Sequence, residues 1–273
     1  MKTTLPTVLL LLTGLCACTA QPPPAAAPAT ATLRLLSYNI HHGVGMDNRL
    51  DLPRQAAVIQ AAKADWVGLQ EVDNRCTRSG KVDQPAELQK QAGFSQSFFS
   101  KSIALQGGGY GPAALCGLPG AQWHTLDLPA GGREGRSVLF NVVQVLPDRR
   151  PLVLANVHLD SGDDDSVRLP QVKALLAELN RMKLPAVIIG DFNDTPGSRT
   201  LEVLKAAGFQ SIPKKGNPCT FNAPKPTQEI DHMLVRSGPG LVVEPQQADV
   251  IVEPVASDHR PLLGTVKVRA TPE

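Results

Sequence analysis

Short apolar runs bounded by polar or glycine residues recur along the chain, interleaved with stretches of helical spacing. Leu33 to Ile40 (LRLLSYNI) has strand composition and stops short of Gly43. Trp66 to Leu69 predicts a short buried strand ending at Gln70-Glu71. Phe94 to Phe99, Ser137 to Val145 and Leu152 to Val157 predict further strands, the last ending at His158. Ala186 to Ile189 is apolar throughout, the pattern of a strand buried on both faces, and ends at Gly190-Asp191. Ile230 to Val235, Leu241 to Val252 and Pro261 to Val268 complete the set. Helical spacing appears in four places. Asp51 caps a helix with Pro53 inside its first turn, running to Lys63. Pro85 to Gln91 is a second. Val167 to Met182 sets Val167, Leu169, Val172, Leu175, Leu176 and Leu179 at helical intervals, and Ser198 to Ala207 is the fourth. Glycines dominate Gly107 to Pro119 and predict loops and a hairpin there. Strands outnumber the helices they alternate with, which argues for a layered α/β fold.

The N-terminal segment adds an address. Lys2 followed by the apolar Leu5–Leu15 reads as an export leader over residues 1–20, with an apolar run too short to span a bilayer. Leu15-Cys16-Ala17-Cys18 resembles a lipobox, in which Cys18 would carry lipid and become the mature N-terminus; cleavage after Ala20 would instead release a soluble protein. Residues 21–32, rich in proline and alanine, read as a spacer, leaving one domain over 33–270. Either processing route takes the protein out of the cytoplasm, as a membrane-anchored, periplasmic or secreted monomer. In such a compartment two of Cys76, Cys116 and Cys219 could bridge, and the sequence does not choose the pair.

Charge narrows the partners. A net charge of +2 with no lysine or arginine tract argues against recognition of a polyanion by electrostatics alone. Two Trp, two Tyr and seven Phe are too few for a base-stacking platform.

The candidate chemistry lies where strands end. Asn39 follows the first strand, Glu71 the second, His158 the LVLANV run and Asp191 with Asn193 the AVIIG run; Asp231 opens a late strand and Asp258-His259 precedes the last. Strand ends are where distant segments of layered α/β folds converge. Carboxylates, carboxamides and imidazoles without thiols form a hard donor set suited to Mg2+, with Mn2+ or Ca2+ fitting the same ligands.

Six blocks make a resemblance specific: SYNIHHG (37–43), QEVD (70–73), NVHLD (156–160), GDFND (190–194), EIDHMLV (229–235) and SDHRP (257–261). In this order they resemble the endonuclease/exonuclease/phosphatase superfamily, which includes pancreatic-type deoxyribonucleases, AP endonucleases, bacterial sphingomyelinases and inositol-polyphosphate phosphatases. GGYGPAAL (108–115) resembles that family's segment before a central strand. The resemblance covers roughly Leu33 to Val268. It implies a four-layer α/β sandwich, two mixed sheets face to face with helices outside, and a metal-dependent phosphoesterase. By the same resemblance Glu71 is the principal metal carboxylate, with Asn39 and Asp258 completing the shell. Asp191 orients or deprotonates the attacking water and Asn193 holds phosphate or nucleophile. His259, oriented by Asp231, binds phosphoryl oxygens, and His158 is a second imidazole at phosphate or leaving oxygen. Cationic imidazoles and a metal aimed at the developing charge favour the transition state. Cys116-Gly117 stands where many members carry Ser-Arg, which removes the substrate contact that Arg would make; Arg133 and Arg136, or Arg75 and Arg78, could supply positive charge instead.

Taken singly, several of these residues have plainer readings. Asn39 is a strand-end turn residue, His158 a hydrogen-bonded core histidine, Asp191 and Asn193 an Asx turn before Pro196, and Asp231 a partner for a surface arginine. The blocks in sequence reverse those readings. Asp163-Asp164-Asp165 is a helix-start acidic cluster rather than a metal loop, and His41, His42 and His124 receive no role. Three functions compete: a phosphodiesterase acting on nucleic acid or another diester, a lipid-headgroup phosphodiesterase at a membrane, and a catalytically dead binding module.

Overall fold

The computed structural model describes Met1 and residues 29–271; most of the expected leader, Cys18 and most of the expected spacer lie outside the described residues. Along β1 (Thr30–Asn39), Leu35 and Leu36 point to opposite faces and both are fully buried. Leu35 packs with Trp66, Ala114, Leu154 and Ile189, and Leu36 with Tyr38, Ile59, Val67 and Leu88. A strand apolar on both faces needs a cover on each, so the sheet is sandwiched.

The first sheet continues with β2 (Trp66–Asn74), β3 (Gln96–Phe99), β4 (Ile103–Leu105) and β5 (Gly108–Cys116). The second sheet follows in β6 (Gln122–Leu128), β7 (Arg136–Gln144), β8 (Pro151–His158), β9 (Ala186–Asp191) and β10 (Gln210–Ser211). Then β11 (Lys214–Lys215) rejoins the first sheet, β12 (Asp231–Arg236) the second, and β13 (Leu241–Val250) and β14 (Leu262–Ala270) the first. The orders are β11-β13-β14-β1-β2-β5-β3, with β4 also on β5, and β10-β12-β9-β8-β7-β6. The pairs β1–β2, β8–β9 and β11–β13 are parallel and the others antiparallel, so both sheets are mixed.

Helices α1 (Leu52–Ala62) and α2 (Gln84–Ala92) cover the first sheet; α3 (Arg168–Met182) and α4 (Arg199–Ala206) cover the second. Asp51, Asp83 and Ser198 accept backbone N–H bonds at three of the helix starts. The result is the four-layer sandwich expected.

One buried side chain joins the sheets beneath the site. Asn156 of β8 donates to the carbonyls of Leu69 and Ala113, both at 2.8 Å, and accepts from Gln70 Nε2 at 2.7 Å. Those carbonyls flank a bulge: Leu69 pairs with Ala113 and Val72 with Gly111, so Gln70 and Glu71 face Pro112 alone. Proline has no N–H for the ladder, and Glu71 takes a left-handed φ of 57° there. The bulge thereby re-aims Glu71.

Four details differ from the sequence reading. Strand β1 starts at Thr30, inside the expected spacer. The glycine-rich 107–119 segment holds β5, a buried strand of nine residues hairpinned to β4, and β6 was not singled out. All three thiols are free. Cys76 donates to Gly109 O and Cys116 lies at the other end of β5, roughly 23 Å along the strand at about 3.3 Å per residue, far beyond disulfide reach.

Candidate active site

Strand direction brings the chemistry to one edge. Asn39, His158 and Asp191 are the last residues of β1, β8 and β9. Asp231 is the first residue of β12 and pairs across the antiparallel ladder with Asp191. The loop carrying Ser257 to His259 enters β14, whose Leu262 pairs with Ser37 near the end of β1. The bulge places Glu71 at the same edge.

Asp191 is the hub. Its Oδ2 accepts from Asn39 Nδ2 at 3.1 Å, and its Oδ1 from the Asn193 backbone N–H at 2.9 Å. His158 Nε2 and His259 Nε2 each lie 3.6 Å from Oδ2, too long for direct hydrogen bonds. Asn39 Nδ2 also donates to Glu71 Oε1 at 3.0 Å, so one carboxamide spans the carboxylates of both sheets.

The contacts of three further groups complete the site. The Asn39 oxygen accepts from the His41 N–H at 3.0 Å, while its nitrogen holds Glu71 and Asp191 together. The Asn193 side chain donates to Leu159 O at 3.0 Å, fixing the turn after β9. The two imidazoles also differ in charge. His259 gives Nδ1–H to Asp231 at 2.9 Å, and Thr220 donates to the same Asp231 oxygen. Burial pulls His259 down, but Asp231 and Asp191 outweigh it and raise its pKa to about 10. His158 Nδ1 faces Arg136 Nη1 at 3.3 Å; a guanidinium only donates, so Nδ1 accepts and the proton sits on Nε2. Burial, then Arg136 and His259, hold His158 well below the usual histidine range, so it is a neutral donor rather than a cation. Burial is the largest influence raising Asp191 to about 7, with Asp231 adding and His259, Asn193 and Asn39 opposing.

The His259–Asp231 pair gives a pH test on protein kept in EDTA. An unfolded histidine titrates near about 6.5, so the contribution of the raised value is complete below that pH and is lost as pH rises through about 10. Denaturant unfolding at pH 7 and pH 9 should show stability falling by up to about 1.4 kcal/mol per pH unit, with Asp231→Asn flattening the slope. A flat wild-type profile would break the assignment of a protonated His259.

The donors fit a divalent cation. Glu71 is half-buried, and among the described residues no lysine or arginine pairs with it. Asp258 is half-buried beside His259, with Ser257 Oγ 3.2 Å from its Oδ1. Glu71, Asp191, Asp231 and Asp258 against one charged imidazole leave an excess of negative charge that a cation would balance. Sequence reasoning missed three supports. Ser257 donates to Asn39 O at 2.7 Å, Thr220 steadies Asp231, and Arg136 sets the His158 tautomer. Ser257 stands inside a quoted block; Thr220 and Arg136 carry no local signal for these contacts.

The family model for the endonuclease/exonuclease/phosphatase family matches residues 36–259, and the chain belongs to that family. It is a phosphoesterase of that family, whose members hydrolyse phosphoester bonds. Solved structures share the fold. An endonuclease/exonuclease/phosphatase from Beutenbergia cavernae DSM 12333 is 24% identical with a TM-score of 0.71, covering 87% of this chain and 72% of that one. A mannosyl-6-phosphatase from Bacteroides thetaiotaomicron VPI-5482 is 17% identical with a TM-score of 0.65, covering 88% and 99%. The human Nocturnin catalytic domain is 18% identical with a TM-score of 0.64, covering 88% and 95%. Comparison with curated protein sequences gives no match.

Proposed function

We propose that this chain is an exported, divalent-metal-dependent phosphodiesterase in which Asp191 orients and deprotonates the attacking water. The observation that carries the reading is the position of Asp191 Oδ2, 3.6 Å from two imidazole Nε2 atoms and joined through Asn39 to Glu71. The water gives its proton to Asp191 as its oxygen bonds to phosphorus, and the bond to the leaving oxygen breaks on the opposite side. Charge gathering on the phosphoryl oxygens meets the His259 cation and the His158 Nε2–H, which favour the transition state over the ground state. Glu71 and Asp258 would hold the cation, which supplies charge neutralisation at the phosphoryl group and a more acidic water.

The arginines support a single diester over a long polyanion. Arg78 pairs with Asp73 at 2.9 Å, Arg133 with Asp160 at 2.6 Å, Arg136 with Glu134 at 2.6 Å and Arg75 with Asp83 at 3.6 Å. Arg78, Arg133 and Arg136 are thereby held by carboxylates, and the long, exposed Arg75 pair leaves a single arginine to meet further phosphate charge. A lipid-headgroup diester is the second reading, and one observation favours it. Met46, Leu50, Val252 and Val255 are exposed on two loops joined by the Met46 N–H to Val255 O, and these loops lead into the His41–Gly43 turn and Ser257. Among the described residues no helix is long and apolar enough to cross a membrane, so a tether would fall to Cys18.

Hydrolysis of bis(p-nitrophenyl) phosphate, p-nitrophenyl phosphate, plasmid DNA and sphingomyelin vesicles tests both readings. Faster cleavage of the diester than of the monoester is expected, with EDTA abolishing it and excess Mg2+ or Mn2+ restoring it. Preference for the monoester would make the enzyme a phosphatase, and indifference to EDTA would remove Glu71 from cation binding. Metal at 100 times its dissociation constant should stabilise the wild type by about 2.7 kcal/mol and leave Glu71→Gln unmoved.

A further inference from the structure

The turn His41–Gly43 joins β1 to the segment before α1, and neither imidazole has a part in the reaction above. Both histidines hold left-handed backbone angles, φ 45° and 44°, a region that residues with a Cβ seldom occupy. The turn is anchored at three points: the His41 N–H donates to Asn39 Oδ1, the Gly43 N–H to Ile40 O at 2.9 Å, and Gln84 Nε2 to His42 O at 2.7 Å. Gln84 is fully buried and also accepts from the Asp73 N–H of β2 at 2.9 Å, which ties the turn to the strand carrying Glu71.

This scaffold presents the two rings edge to face, with centroids 4.4 Å apart. One nitrogen from each ring and one Glu71 oxygen lie within 4.8 Å of one another. His41 Nδ1 faces the carbonyl of Val44 at 3.2 Å; a carbonyl only accepts, so that nitrogen bears the proton and Nε2 keeps its lone pair. A ring nitrogen fixed as donor to a carbonyl is the usual outer support of a metal-binding histidine.

We infer that His41 and His42 join Glu71 as ligands of the divalent cation, making a mixed nitrogen–oxygen site that selects Mn2+, Co2+ or Zn2+ over Mg2+ and Ca2+. Imidazole suits the transition ions, whereas Mg2+ and Ca2+ take oxygen donors. The inference rests on the reading that Glu71 holds the cation, and it replaces Mg2+ as the preferred ion.

Metal-stripped protein titrated calorimetrically with Co2+ and with Mg2+, together with pulsed electron paramagnetic resonance of bound Mn2+, tests it. The variant is the double substitution His41→Asn/His42→Asn, because asparagine accepts left-handed backbone angles. Nitrogen-14 modulation on Mn2+ is expected in the wild type. The double variant should lose at least about 10-fold in Co2+ affinity while Mg2+ affinity changes less than about threefold. Should the variant not fold, the nitrogen signal of the wild type decides alone. Mn2+ bound without nitrogen coupling would overturn the inference and leave an oxygen-only site, with the metal-dependent reading intact. Uptake of no divalent ion by the wild type would overturn both.

Discussion

Replacing Asp191 by asparagine should lower kcat/KM on the best diester by about 10²–10⁴-fold, the range set by one positioned acid or base. The substitution keeps the shape and the Oδ1 acceptor for the Asn193 N–H, so the turn after β9 stays in place. It removes the anion between His158 Nε2 and His259 Nε2, and with it the acceptor for a proton from water. His259 retains Asp231 at 2.9 Å, so its orientation survives. Burial disfavours the ionised Asp191 and the amide lifts that cost, but the amide also takes the acceptor from Asn39 Nδ2 and a neighbouring charge from His259, so stability has to be read beside turnover. Steady-state kinetics beside a thermal melt separates the two effects. Near wild-type turnover from folded Asp191→Asn protein would remove Asp191 from the chemistry.

The second large effect falls on stability. Asn156→Leu keeps the side-chain volume but takes the amide donor from the Leu69 and Ala113 carbonyls in a fully buried place, and leaves Gln70 Nε2 only its longer bonds to Ser37 Oγ and Gly68 O. Each buried polar group stranded in this way costs about 1–3 kcal/mol, so a loss of about 3 kcal/mol or more is expected. For a domain of this size that lowers the melting temperature by roughly 6–12 °C. Gly68 leaves no slack, since a Cβ there would already lie 2.9 Å from Asn156 Cγ. The Glu71 bulge hangs from the same bonds, so metal affinity should weaken along with stability. A melting temperature within about 2 °C of wild type would show that the bulge does not depend on Asn156.

The fold was legible wherever burial dictated composition. The Trp66–Leu69, Leu152–Val157 and Ala186–Ile189 runs are apolar because helices cover one face and the opposing sheet the other, and each ends at a site residue. Strand β5 was hidden for a physical reason. Its glycines mark close backbone approach rather than turns: a Cβ on Gly111 would lie 2.1 Å from Ser100 O, and one on Gly108 2.4 Å from Asn74 O. Strand β6 lies at the edge of its sheet with one face half-open, which leaves no continuous apolar run.

Within the site, the residue types and their convergence followed from strand ends, whereas their states did not. That His158 is neutral depends first on its burial between the layers and then on Arg136, twenty-two positions earlier, reaching its Nδ1 from the adjacent strand. That Asn39 turns its nitrogen to the carboxylates depends on the His41 N–H. Contacts of this kind are fixed by register across strands and leave no trace in local spacing.

Glu71 belongs to one sheet; Asp191, His158 and Asp231 belong to the other. The gap between Glu71 and Asp191 is therefore a thickness, set by the side chains interleaved beneath them rather than by any loop at the rim. Leu35, Trp66, Leu154 and Ile189 act as spacers in this sense, although none touches the cleft's chemistry. Trimming one of them would bring the two halves of the cleft into a different alignment, and the same mutational drift that repacks the interior would tune which phosphoester spans it.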